Sequence, residues 1–86
     1  GGGRSEAGRG ELLYFQQGGQ LIIDSKRQGS PLKQISLRST AGRLLLEASP
    51  EGYRHQCAVD HLAAGVYLLA VRHQDGTLSR RKVYLR

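Results

Sequence analysis

Apolar residues in this sequence recur at every second position, broken at short intervals by turn-forming residues, and they do not follow the helical spacing of i, i+3, i+4 and i+7. Side chains of an extended chain alternate between two faces, so this pattern gives strands with one side toward a core and the other toward water. The alternation is clearest at Ile35 and Leu37, which face one way while Gln34, Ser36 and Arg38 face the other. It returns over Tyr53–Asp60, where Tyr53, His55, Cys57 and Val59 share a face opposite Arg54, Gln56 and Asp60. Val66–Val71 is apolar on both faces, which predicts a central strand covered on both sides.

The intervening residues are those that reverse a chain. Gln17-Gly18-Gly19-Gln20 joins Glu11–Phe15 to Leu21–Asp24 as a hairpin, because glycine accepts the positive φ of a tight turn. Asp24–Pro31 is polar and reads as a loop. Ser39-Thr40-Ala41-Gly42 leads into Arg43–Ala48, and Ser49-Pro50-Glu51-Gly52 turns the chain again. His61–Gly65 is a connection, and Gln74-Asp75-Gly76 is a hairpin signal ahead of Thr77–Arg86. Short strands with regular turn signals predict an all-β chain, a seven-stranded immunoglobulin-like antiparallel β-sandwich. Gly1–Gly10 holds five glycines and only one apolar residue, so residues 1–10 read as a flexible linker and 11–86 as the folded domain.

A chain of 86 residues builds a single, marginally stable core. With no Trp and no Met, that core falls to Leu, Ile, Val, Tyr and Phe15. No apolar run reaches the roughly 18–20 residues of a membrane-spanning helix. Gly1–Gly10 lacks the apolar stretch of a signal peptide; an export address would lie elsewhere in a longer parent chain, or this segment is itself the address. The single cysteine, Cys57, excludes an internal disulfide and a thiolate-rich metal cage.

The run Asp60-His61-Leu62-Ala63-Ala64-Gly65-Val66-Tyr67 has the logic of a sandwich corner. A tyrosine near the start of the penultimate strand sends its hydroxyl back to upstream backbone, Leu62 anchors the turn in the core, and Gly65 allows the bend.

Chemistry is sparse. The acidic residues sit mostly at turns or strand ends and form no pair around an apolar pocket, and a small domain leaves little room for a pocket of a few hundred cubic ångströms. No catalytic residue and no cofactor is therefore expected. His55 and Cys57 lie on one strand face but roughly 6–7 Å apart along the strand, too far for a nucleophile and its base. Cys57 reads as a small core residue. His55, His61 and His73 have no zinc-site spacing and read as solvated, so no metal site is expected.

The formal charge of +6 favours anionic partners, although dispersed basic residues also suit an ordinary solvated surface. Nucleic acid is disfavoured, because the few aromatic residues are not interleaved with the basic ones. Alternation sends Arg80 and Lys82 to one face and Arg81 to the other, with Val83 and Leu85 in the core. On one account such a charged edge strand serves to block edge-to-edge aggregation. On the other it is a docking strand for a partner, by strand addition or charge pairing, and the sequence leaves the two open.

Taken in order, three blocks of the second half resemble the type A C-terminal sorting domains of the type IX secretion system of Bacteroidetes. The first is Ile35-Ser36-Leu37-Arg38-Ser39-Thr40-Ala41-Gly42-Arg43-Leu44-Leu45, and the second Leu62-Ala63-Ala64-Gly65-Val66-Tyr67-Leu68-Leu69-Ala70-Val71. The third is Asp75-Gly76-Thr77-Leu78-Ser79-Arg80-Arg81-Lys82-Val83-Tyr84-Leu85-Arg86. The proline–asparagine–proline stretch of many members has no counterpart in Leu12–Asp24.

The resemblance implies an export address for a larger cargo, in the periplasm in transit and then at the outer membrane or cell surface. Its partners would be the translocon and the surface attachment and sortase proteins, which join many cargoes to anionic lipopolysaccharide. It implies translocon recognition through Lys82, Val83, Tyr84, Leu85 and Arg86, with Gly42, Arg43, Leu62, Gly65, Tyr67, Asp75 and Gly76 as the structural motif. The cleavage region would be Arg4, Ser5, Glu6, Ala7, Gly8, Arg9 and Gly10. The alternative is a surface adhesion module that binds glycan or lipopolysaccharide. Edge strands allow a monomer or a strand-exchanged dimer.

Overall fold

The alternation resolves, in a computed structural model that describes residues 12–86, into seven strands and no helix among the described residues. They are β1 (Leu13–Gln17), β2 (Gln20–Asp24), β3 (Leu32–Ser39), β4 (Leu44–Ala48), β5 (Arg54–Ala58), β6 (Gly65–His73) and β7 (Leu78–Leu85). Glu11, the linker 1–10 and the cleavage region Arg4–Gly10 lie outside the described residues.

Two antiparallel sheets form, one ordered β1-β2-β5 and the other β4-β3-β6-β7. The chain crosses between sheets after β2, after β4 and after β5, so neither sheet is built from consecutive strands alone. β1 and β2 pair through Gln17 and Gln20 across two glycines at φ 58 and 79, a hairpin that only positive φ permits. This turn extends β1 to Gln17, beyond the Phe15 limit expected from the sequence.

The core lies between the sheets. Leu21 and Ile23 of β2 meet Leu32, Ile35 and Leu37 of β3, Leu69 and Val71 of β6, and Val83 and Leu85 of β7. Each such side chain contributes about 1.5–3 kcal/mol on burial, against about 1–2 kcal/mol of backbone entropy for each ordered residue. The fold therefore rests on this one seam.

Four expectations are corrected. Phe15 pairs with Ile22 on the outer side of its sheet and is 43% exposed, because it has the opposite parity to Tyr14 and Ile23, which face the core. Tyr53 is 42% exposed, since β5 begins after it, at Arg54. β6 is hydrogen-bonded on both sides, by β3 and β7, but it is covered on only one face. Tyr67, Leu69, Val71 and His73 point inward, while Leu68 and Arg72 face water, because no layer packs outside this sheet among the described residues. His73, expected in solvent, shares the inward parity of Tyr67, Leu69 and Val71 and is fully buried.

Candidate functional site

Parity and register together assign the outer face of the four-stranded sheet. With Ile35, Leu37, Leu69 and Val71 inside, the alternate residues of β3 and β6 must point out, and so must their cross-strand partners. Gln34, Arg72 and Leu78 form one row across β3, β6 and β7. Ser36, Ala70 and Arg80 form the next, extended onto β4 by Glu47. Arg38, Leu68 and Lys82 form the third.

The middle row has short side chains at its centre, Ser36 and Ala70, and longer ones on every side. The result is an open hollow of about 690 Å³ floored by the sheet. The expectation that so small a chain lacks room for a pocket is therefore corrected: the sheet makes the hollow from its surface, without opening the core.

Five cations line this hollow: Arg38, Arg72, Arg80 and Lys82 on the outer face, and the half-buried Arg81, whose Nη1 donates to the Arg80 carbonyl at 2.8 Å. Its one carboxylate, Glu47, accepts a hydrogen bond from Gln34 Nε2 to Oε2 at 2.8 Å. Arg38 Nη1 donates to the Gly42 carbonyl at 3.3 Å. Among the described residues none of these cations forms an ion pair with an acidic side chain; the Arg54–Asp24 pair at 3.6 Å and the His61–Asp60 pair at 4.0 Å lie away from this face. The positive charge is left to solvent or to a partner.

β7 forms one margin of the face and, among the described strands, has a neighbour on one side only. Its alternation follows the sequence reading: Ser79, Val83 and Leu85 are buried and Arg81 half-buried, while Arg80, Lys82 and Tyr84 are exposed, Tyr84 to 71%. Of the five residues Lys82–Arg86, Val83 and Leu85 thus belong to the core, and Lys82, Tyr84 and Arg86 are free to meet a partner.

The motif residues hold turns rather than this hollow. Tyr67 is buried and its hydroxyl donates to the carbonyl of Ala63, four residues upstream, as the corner reading expects. Leu62 packs against the core, and its N–H donates to the Val59 carbonyl at 3.0 Å. Gly65 has φ 152, while a Cβ there would meet nothing within 4 Å. Backbone conformation rather than space reserves that position for glycine. Gly42 closes the β3–β4 turn through its N–H to the Ser39 carbonyl, and Arg43 follows it, exposed, with its own N–H on Ser39 Oγ. Asp75 and Gly76 lie in the β6–β7 hairpin; Asp75 Oδ1 accepts from Thr77 N–H at 3.0 Å and Thr77 Oγ1 at 2.7 Å.

His55 and Cys57 are both half-buried on the inner side of β5. Cys57 packs at the margin of the core, its thiol directed to the Leu21 carbonyl at 3.7 Å, and burial raises its pKa above the usual thiol range. The low thiolate fraction that follows makes it a poor nucleophile near neutral pH. The three histidines lie apart: among the described residues no group of three or more His, Cys, Asp or Glu side chains is arranged to hold a metal.

What the sequence did not disclose is the hollow, and a buried polar chain in which His73 Nε2 meets Ser79 Oγ at 2.9 Å and Gln28 meets the same hydroxyl at 3.3 Å. Both depend on partners distant along the chain. No protein-family model matches this chain, and no curated protein matches it in sequence.

Proposed function

We propose that this domain is a non-catalytic sorting address of the type IX secretion kind, carrying a cargo across the outer membrane to the cell surface. The observation that carries the reading is the divided character of β7: buried Val83 and Leu85 hold the strand in place, and exposed Lys82 and Tyr84 project from the sheet margin. A strand so placed suits recognition by strand addition or by charge pairing. The resemblance of the three sequence blocks supports the translocon as the partner. The sheet crossings and the Tyr67 corner support an immunoglobulin-like form of the sandwich.

Deleting Lys82–Arg86 would remove Val83 and Leu85 from the core and so confuse loss of recognition with loss of folding. The test instead fuses the chain to a periplasm-exported fluorescent protein in a type IX-competent bacterium and compares it with the triple variant Lys82→Ala, Tyr84→Ala, Arg86→Ala. Surface delivery by the parent fusion and periplasmic retention of the equally folded variant is the expected result. Retention of both fusions, with the domain folded, would exclude the sorting reading.

A further inference from the structure

We propose that the hollow on the outer face of the four-stranded sheet binds a sulfated or phosphorylated saccharide. The inference stands on Arg38, Arg72, Arg80 and Lys82; it shares Lys82 with the sorting reading and is tested apart from it through Arg38 and Arg72.

Charge complementarity comes first. Five cations line one hollow, four of them on its outer face, and among the described residues none has an acidic partner. Arg80 and Lys82 are two positions apart on β7, roughly 7 Å along the strand, and Arg38 lies two strands from Lys82, roughly 10 Å across the sheet. The register therefore spreads the charge over a span longer than a single oxyanion. A chain that repeats its anionic groups fits this span better than one compact ion. Arginine also presents a planar fork that matches the oxygens of a sulfate or phosphate group.

The rest of the hollow selects among polyanions. Strands β3 and β6 are paired on both sides, so their backbone groups are engaged in the sheet and a peptide cannot add as a strand there. No aromatic side chain lines the hollow, so bases have no stacking surface. Its floor is the sheet itself, with Ile35, Leu37 and Val71 packed beneath, and this leaves no slot for an acyl chain. Ser36, Gln34 and Glu47 place hydroxyl, amide and carboxylate groups toward β4, away from the cations of β7. These groups exchange hydrogen bonds with sugar hydroxyls, and Leu68 and Leu78 offer apolar surface to the C–H face of a sugar ring. A ligand would lie with its anionic groups over Arg38, Arg72, Arg80 and Lys82 and its hydroxyls toward Glu47.

The test is calorimetric titration of the whole chain with a heparin-derived sulfated hexasaccharide, at low and at moderate salt. Arg72→Gln and Arg38→Gln lie outside β7, so their effect is separate from that of the sorting strand. Each is expected to weaken binding about tenfold, the loss of one charge-assisted contact. Arg54→Gln, on the other sheet, should leave affinity unchanged, and circular dichroism should show all three variants folded. Binding to the hexasaccharide should fall with salt and be absent for an uncharged hexasaccharide. Failure to bind, an equal loss in Arg54→Gln, or equal binding of duplex DNA would overturn the proposal. Export of the Arg72→Gln fusion at parental level would separate the two functions.

Discussion

The side-chain amide of Gln16 holds both backbone groups of Arg86: its Oε1 accepts the Arg86 N–H at 2.8 Å, and its Nε2 donates to the Arg86 carbonyl at 3.1 Å. Gln16 lies on β1 of the three-stranded sheet, and Arg86 follows β7 of the other, so this amide clips one sheet to the other. Replacing Gln16 with Ala removes both bonds, which are exposed to water and so contribute only about 1 kcal/mol. The larger effect is local. Hydrogen exchange at the Arg86 amide should rise toward the unprotected rate, whereas the Val83 and Leu85 amides stay protected. Unchanged exchange at Arg86 would show that the clip does not hold in solution.

Tyr67→Phe isolates the corner. The ring stays in place and only the bond to the Ala63 carbonyl is lost, so the expected cost is about 1–2 kcal/mol in urea denaturation. An unchanged midpoint would remove the hydroxyl from the stability of the fold.

His73 is a polar group enclosed by the core, with Nε2 on Ser79 and Nδ1 buried without a hydrogen-bond partner among the described residues. His73→Ala should cost about 2–4 kcal/mol, chiefly through the cavity it leaves. His73→Leu fills that space and ends the desolvation of Nδ1, while Gln28 still reaches Ser79 at 3.3 Å. It should therefore stay within about 1 kcal/mol of the parent. A Leu variant as unstable as the Ala variant would show that the histidine bond, and not its volume, matters.

Asp75 predicts an acid limb. Hydrogen bonds from the Thr77 side chain and backbone hold its pKa below the usual carboxylate value of 3.8. A depressed folded pKa stabilises the fold above the unfolded pKa, and that contribution is lost as pH falls through the folded value. Asp75→Asn should lower the melting temperature slightly at pH 6 and converge with the parent near pH 2, because the group is exposed and screened. Parallel curves from pH 6 to 2 would refute the role of the carboxylate.

How far the sequence could be read follows from what each feature depends on. Strand positions and turns are local, so the alternation at Ile35 and Leu37, the Gly18-Gly19 hairpin and the split of Arg80 and Lys82 from Val83 all appear where expected. Apolar character does not report which face is covered, which is why Leu68 and Phe15 lie outward. The hollow exists because pairing sets Ser36 beside Ala70 and Arg80 beyond it, residues distant along the chain. Register of that kind is decided by the assembled sheet, and one strand at a time does not contain it.

The Gln16–Arg86 clip also sets Arg86, just past β7, alongside β1. β1 runs from Leu13 to Gln17, and Arg86 sits beside Gln16, at the end of β1 away from Leu13. Tension applied between Leu13 and Arg86 therefore pulls β1 and β7 in opposite directions along their axes. It drags β1 along β2 and β7 along β6, so the rungs of each ladder share the load rather than open one after another. A domain strung this way resists being drawn out lengthwise and should unfold slowly under force, a property set by its unfolding barrier more than by its equilibrium stability.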